Sequence, residues 1–286
     1  MSRFGASLDH DRRPCLRQAG PSAILPAMTQ NPYPIPRAAL VTGAARRIGR
    51  AIALALAEAG WAVAIHHRES GEEAEALAAD IAARGGRAVA LEADLSRERE
   101  IEDLVPRAET ALGPLGVLVN NASVFERDDA LGATRASWDL HMEVNLRAPF
   151  VLSQVFARRL PEGAGGAIVN ILDQRVRNLT PHFTSYTVSK AGLWTLTQTM
   201  ALALAPRVRV NGVAPGPVLP SIRQTQAQFD AQARATPLGR ATAPREIAEA
   251  VLFLLEAPSV TGQMLALDGG QHLNWAPATG GHAGDE

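Results

Sequence analysis

The stretch Ala38-Ala39-Leu40-Val41-Thr42-Gly43-Ala44-Ala45-Arg46-Arg47-Ile48-Gly49 decides how this chain reads. Four apolar residues run into a turn punctuated by Gly43 and Gly49, and helical spacing follows over residues 47–59. A short apolar run ended by a glycine turn reads as a buried strand. Apolar residues three and four apart read as a helix packed upon it. Glycine suits such a junction because the chain turns sharply and its backbone must come close to whatever sits at the helix N-terminus. The unpaired N–H groups there favour an anion, so the junction reads as a phosphate cradle. A plain tight turn hinged at Gly43 is the alternative.

The same alternation continues along the chain. Apolar runs recur at residues 62–65, 88–91, 117–119, 167–171, 209–213 and 264–267. Helical spacing fills 71–84, 97–112, 137–159, 186–205 and 244–256 between them. Strands that are apolar throughout are buried on both faces, as in parallel sheets sandwiched by helices. The prediction is one doubly wound α/β (Rossmann) domain over residues 37–273, with a seven-stranded parallel sheet and helices on both faces. No internal repeat or long linker leaves room for a second domain. Residues 1–36, rich in Arg, Pro and polar groups, are expected to be a disordered or loosely attached tail, with Met28 as an alternative start. Residues 274–286, rich in Gly and Ala, are expected to be a flexible C-terminal tail.

Composition narrows the function classes. The chain's 28 basic and 29 acidic residues nearly cancel, which argues against nucleic acid or an anionic membrane and for a small-molecule partner. Its single cysteine, Cys15, cannot form an internal disulfide, and a cytoplasmic setting is expected. Arg12, Arg13, Pro14 and Arg17 break any signal-peptide core. No apolar run approaches the roughly 20 residues needed to span a bilayer.

In a sheet of this kind ligands bind beyond the carboxyl ends of the strands, where strand order reverses. After the second strand come His66-His67-Arg68 and then Ser70. A dinucleotide with a plain ribose prefers an acid here, and one with a 2′-phosphate prefers arginine. Arg46, Arg68 and Ser70 can form such an anion pocket, with Glu69 expected to point away, so NADPH is favoured over NADH. Solvated surface charges are the alternative. After the third strand, Asp94-Leu95 places a carboxylate that can meet an adenine amino group or cap the next helix. After the fourth, Asn120-Asn121-Ala122-Ser123 can tie strands together and face a cofactor, or simply turn the chain. After the fifth come Tyr186 and Lys190, one turn apart on a helix face. A phenol near pKa 10 is a poor acid–base group, and a neighbouring ammonium lowers that pKa, giving a proton donor for a substrate receiving hydride.

Taken together, Thr42–Gly49, Asp94, Asn120-Asn121-Ala122, Asn145, Tyr186/Lys190, Pro215-Gly216 and Asp268-Gly269-Gly270 resemble the short-chain dehydrogenase/reductase family over residues 38–270. The resemblance implies that Asn145 holds a water linking Lys190 to solvent, and that Pro215-Gly216 lies against the nicotinamide. It also implies a homotetramer or homodimer, built through helices around 137–160 and 186–205.

Two positions depart from the family's usual pattern. Arg47 stands where the turn usually carries glycine, and Asp173 stands where the catalytic serine usually lies, thirteen residues before Tyr186. Both are similar to the pteridine reductase branch, including bacterial dihydromonapterin reductases, in which a Phe at the position of Phe125 stacks the pterin on the nicotinamide. A pterin is reduced at a ring C=N bond, so a proton must reach nitrogen, and an acid beside Tyr186 suits that need better than a serine. Arg47 would meet both a cofactor phosphate and a pterin oxygen. The alternatives are pocket wall for Phe125, a loop acid for Asp173 and a phosphate contact only for Arg47. The expected activity is NADPH-dependent reduction of a pterin or dihydrofolate-type substrate, without a metal. A carbonyl reductase acting on a ketone or 3-oxoacyl substrate is one alternative. An idle NADP(H)-binding sensor is another. Residues 217–243, with a helical patch near 224–233, are expected to form a substrate lid, and Trp275 to reach the site from the tail.

Overall fold

The computed structural model describes residues 33–274, so the expectations for 1–32, Trp275 and the rest of the C-terminal tail lie outside the described residues. Seven strands form one sheet: β1 (Ala38–Val41), β2 (Ala62–His67), β3 (Ala88–Glu92), β4 (Val117–Asn120), β5 (Gly166–Ile171), β6 (Val208–Pro215) and β7 (Met264–Leu267). All pair in parallel in the order β3-β2-β1-β4-β5-β6-β7. Strand order therefore reverses between β1 and β4, opening a crevice at their carboxyl ends.

Alternation along each strand sorts the core into two layers. Val41, Ile65, Val119, Val169 and Val213 point to the face covered by α1 (Arg47–Glu58), α2 (Gly71–Ala83) and α8 (Pro244–Glu256). Leu40, Ala64, Leu118, Ile168 and Val210 point to the face covered by α3 (Glu98–Leu112), α5 (Ala148–Arg159) and α6 (Thr184–Leu204). Both faces are dry, which is why the strands read as unbroken apolar runs.

The single helix expected over 137–159 is three pieces. α4 (Arg135–Met142) is opened by a capping box between Thr134 and Ser137, a wide π-turn covers Glu143–Arg147, and α5 follows. Pro149 explains the interruption: it has no N–H to offer the carbonyl of Asn145, four residues back. The helical patch expected near 224–233 is α7 (Gln226–Arg234), capped by Thr225 and Gln228.

The tail boundary shifts as well. Residues 33–36 belong to the folded unit: the Gly165 N–H donates to the Pro34 carbonyl at 3.0 Å and Ile35 packs on the core. Gly116 leaves space for the backbone of Pro36, since a Cβ there would lie 2.1 Å from its oxygen. No helix among the described residues is long and apolar enough to cross a membrane.

Candidate active site

The first turn is built as its glycines require. Gly43 sits at φ 59°, and a Cβ on Gly49 would lie 2.2 Å from the Gly43 carbonyl, so α1 can start this close only without a side chain there. Arg47, in the family's glycine position, adopts φ 53°, a left-handed conformation uncommon for a non-glycine residue. The crevice is pinned by Thr42 and Asn121. Thr42 Oγ1 accepts from Asn121 N and Ala122 N, each at 2.9 Å, and Asn121 Nδ2 donates to the carbonyls of Thr42 at 2.8 Å and Gly43 at 3.1 Å. Asn120 ties β4 to β5 through Asn170 at 2.8 Å.

A groove of about 500 Å³ runs from this turn across the ends of β2, β3 and β4. Gly43, Arg46, Arg47, Ile48, Gly49, His66, Arg68, Ser70, Asp94, Leu95, Asn121, Ala122 and Ser123 all line it, so the expected cofactor residues converge. Some do other work than expected. His66 Nδ1 accepts the Gly43 N–H at 3.0 Å, so Nε2 carries the hydrogen and donates to the Ala93 carbonyl at 3.0 Å. Both ring nitrogens are thus spent on the scaffold, and burial pushes the imidazole pKa down to about 4. Glu69 does not point away: it lines the groove and pairs with Arg68 at 3.0 Å, because it is the nearest acid to an exposed guanidinium. Arg46 is paired with Glu73. Asp94 caps a local turn rather than α3, accepting from Ser96 N at 2.9 Å and Ser96 Oγ at 2.8 Å. Burial alone would raise its pKa, but those bonds and the charges of Arg97 and Arg68 hold it low.

A second cleft, about 160 Å³, adjoins the groove, and Arg47 lines both. Here Tyr186 Oη donates to Asp173 Oδ2 at 2.8 Å, while Asp173 Oδ1 accepts the Arg175 N–H at 2.8 Å. Lys190 is buried one turn further along α6. Its Nζ donates to the Ile171 carbonyl at 2.8 Å and lies 5.8 Å from the centre of the Tyr186 ring. Burial pushes its pKa down to about 8, against the upward pull of Asp173.

Phe125 closes one wall. It stacks on Phe183, centroids 4.3 Å apart and planes 10° apart, and meets Tyr186 edge-on at 4.7 Å. Arg175 lies 5.5 Å over Phe125 and 5.1 Å over Phe183. Pro215, Gly216 and the start of the lid form the opposite wall. Gly216 is needed because a Cβ would meet the Asp268 backbone at 2.7 Å. The segment after Gly216, expected to be a lid, is clasped on both sides. Arg47 donates to the carbonyls of Pro220 at 3.0 Å and Leu219 at 3.2 Å, and Arg223 reaches the Phe125 carbonyl at 2.8 Å and the Glu126 carboxylate.

The Asn145 side chain is engaged within the protein. Its Oδ1 accepts from Val124 N at 2.8 Å and Ser123 Oγ at 3.2 Å, and its Nδ2 donates to the Val124 carbonyl at 2.9 Å and Ser189 Oγ at 3.1 Å. That uses both donors and both acceptor sites of the amide, so a relay water would have only the main chain to bind. Sequence reasoning missed Phe183 and Arg175. Both lie within three residues of a candidate catalytic group, yet neither forms a spacing pattern with it.

A doubly wound sheet with a glycine-rich first turn, and a tyrosine and lysine one turn apart at the crevice, defines a nicotinamide-dependent reductase class. The chain belongs to the short-chain dehydrogenase/reductase family: residues 43–272 match the family model described as enoyl-(acyl carrier protein) reductase. A short-chain type dehydrogenase/reductase of Picea abies is 35% identical over 249 residues, 82% of this chain and 92% of its own. The 3-oxoacyl-[acyl-carrier-protein] reductase FabG of Staphylococcus epidermidis is 33% identical over 242 residues, 83% of this chain and 99% of its own. Among solved structures, FolM alternative dihydrofolate reductase 1 of Brucella suis, in complex with NADP, is 48% identical with a TM-score of 0.81, over 86% of this chain and 97% of that one.

Proposed function

We propose that this chain is an NADPH-dependent reductase of a ring C=N bond in a pterin or dihydrofolate-type substrate. The observation that carries the reading is the 2.8 Å bond from Tyr186 Oη to Asp173, in a cleft walled by Phe125. The chain's own residues fit the cofactor. The tight packing that Gly43 and Gly49 permit brings the N-terminus of α1, with its unpaired N–H groups, to the groove, where a pyrophosphate would bind, and Arg46, Arg68 and Ser70, which line the groove, suit a 2′-phosphate. Asp94 and Leu95 would hold the adenine, Lys190 the ribose, and Pro215-Gly216 the nicotinamide. The solved relative from Brucella suis, crystallised with NADP, supports the same choice.

When bound, NADPH supplies a hydride for the ring carbon. The protein must then supply a proton to the adjacent nitrogen. The hydrogen between Tyr186 Oη and Asp173 is placed to go there, since the two oxygens share it at the cleft wall. Lys190, with a pKa near 8, is mostly charged at neutral pH and stabilises the negative charge that the pair acquires. Phe125, backed by Phe183, offers a flat face for the ring, and Arg47, which lines both the groove and the cleft, would exchange a lid carbonyl for a substrate oxygen.

The second reading, a 3-oxoacyl or ketone reductase, is favoured by the FabG relatives. Against it, Asp173 accepts from Tyr186 Oη and from the Arg175 N–H and so offers no hydroxyl donor to a carbonyl oxygen that gains negative charge, where a serine would donate to it. The test is NADPH oxidation, followed at the nicotinamide absorbance, with dihydrobiopterin, dihydrofolate, a ketone and a 3-oxoacyl thioester. We expect turnover of the pterin or folate, lost about 100-fold in Asp173→Ser. No pterin or folate turnover alongside brisk 3-oxoacyl reduction replaces the first reading with the second.

A further inference from the structure

Phe125 lies between two residues that are gripped from the same helical face. Asn145 holds Val124 on one side through both amide atoms. On the other side His141, one turn earlier, accepts the Glu126 N–H at Nε2, 3.0 Å away. That acceptance fixes the tautomer: Nδ1 carries the hydrogen and donates to Ser185 Oγ at 2.7 Å. Ser185 in turn donates to the carboxylate of Asp128, which also accepts the Ser185 N–H at 3.2 Å. His141 and Ser185 are completely buried and Asp128 nearly so.

The two grips form a ladder with matched rungs. Asn145 bonds Ser189, the residue before Lys190, and His141 bonds Ser185, the residue before Tyr186. Each rung thus joins one flank of Phe125 to the neighbour of one member of the catalytic pair. His141 also meets the Tyr186 ring edge-on at 6.0 Å. The arrangement is no nucleophilic triad, because the serine hydroxyl points at the carboxylate and the histidine donates to it rather than accepting.

We propose that His141 is a positioning residue. Through Ser185 and Asp128 it sets the height and tilt of Phe125 against Tyr186, and so fixes where the substrate ring lies relative to the proton donor. The role rests on reading Phe125 as the substrate-facing ring. The NADPH groove lies along the ends of β1 to β4, and neither His141 nor Ser185 lines it. Loss of the rung should therefore act on substrate and leave the cofactor alone.

The experiment compares wild type with His141→Phe, His141→Gln and Ser185→Ala, all as full-length chains. Histidine to phenylalanine keeps the ring and removes both polar ends, whereas glutamine keeps an amide that can still accept from Glu126. We expect kcat/KM for dihydropterin to fall about 10- to 100-fold in His141→Phe, shared between a lower kcat and a higher KM, as a displacement of about 1 Å allows. The dissociation constant for NADPH should stay at the wild-type value, and His141→Gln should recover most of the loss. Hydrogen exchange of the amides at 124–126 should quicken in the NADPH-bound phenylalanine variant. Unchanged kcat/KM, or a parallel loss of NADPH affinity, overturns the proposal. If His141→Phe does not fold, Ser185→Ala, which cuts the same rung at its middle, takes the same two readouts. A wild type that turns over no pterin defeats the substrate reading instead, and amide exchange then still decides whether the rung holds the loop.

Discussion

The two halves of the crevice are built from different material. The cofactor half, at the ends of β1 to β3, is mostly backbone: glycine turns, helix N–H groups, and side chains such as His66 and Asp94 whose polar atoms brace the chain itself. The substrate half, around the ends of β5 and β6, is mostly side chain against side chain: Tyr186 on Asp173, Phe125 on Phe183, Arg47 and Arg223 clasping the lid. The pyrophosphate is common to both nicotinamide dinucleotides, so a backbone cradle serves it. Substrate choice has to sit where single side chains can change without moving the sheet.

The contrast breaks most visibly at the substrate half. Tyr186→Phe removes the only hydroxyl on that ring and leaves the stack with Phe125 in place. We expect kcat to fall about 1000-fold with NADPH affinity unchanged, read by steady-state turnover and by fluorescence titration of the cofactor. A chain that served only as a redox sensor would show no turnover in wild type and no difference in the variant.

That division also explains what the sequence discloses. The seven strands, most of the helices and the residues that line the groove are legible because each depends on a local pattern: an apolar run, a glycine turn, a residue at a strand end. The boundary at 33–36 is not legible, because the extended segment is held by a glycine at 165 and a gap at 116, far along the chain. Glu69 misleads for the opposite reason: an acid beside an arginine pairs with it, whatever the strand end requires. Within the substrate half, Tyr186, Lys190 and Asp173 are legible by spacing and resemblance. Phe183, Arg175, His141 and Ser185 are not, since their contacts form only when α4, α6 and the 123–129 loop come together. Asn145 is found by resemblance, but the partners of its side chain, Val124 and Ser189, are not legible, because they lie far from it along the chain.

The cofactor half can be broken through pH. His66 stays neutral in the folded protein down to about pH 4, whereas in the unfolded chain it takes up its proton near 6.5. Between those values unfolding gains a proton as pH falls, so this contribution to stability is present above 6.5 and is lost on acidification toward 4. The loss between pH 7 and pH 5 is about 2 kcal/mol. His66→Gln keeps an acceptor for Gly43 and a donor for Ala93 without a titrating ring. Urea unfolding at pH 7 and pH 5 should therefore show a drop in wild type that is smaller by about that amount in the variant. Equal drops in both would mean that the imidazole does not carry the pH dependence.

The smallest effect belongs to Arg68, and its size sharpens the comparison. Arg68 lines the groove where a 2′-phosphate is proposed to bind, but it is half-exposed and already paired with Glu69. A phosphate bonded there must share or displace that carboxylate, so the net gain is far below that of a buried charge pair. We expect Arg68→Ala to raise the KM for NADPH about tenfold, near the 1.4 kcal/mol of one charge-assisted hydrogen bond, and to leave the KM for NADH unchanged. Glu69→Gln should move NADPH the other way, because it removes the competitor and a repelling charge while keeping the chain's shape. Steady-state kinetics with both cofactors reads the two variants. A rise in both KM values for Arg68→Ala would place the guanidinium on a part common to the two dinucleotides, and the 2′-phosphate would then rest on Arg46 and Ser70.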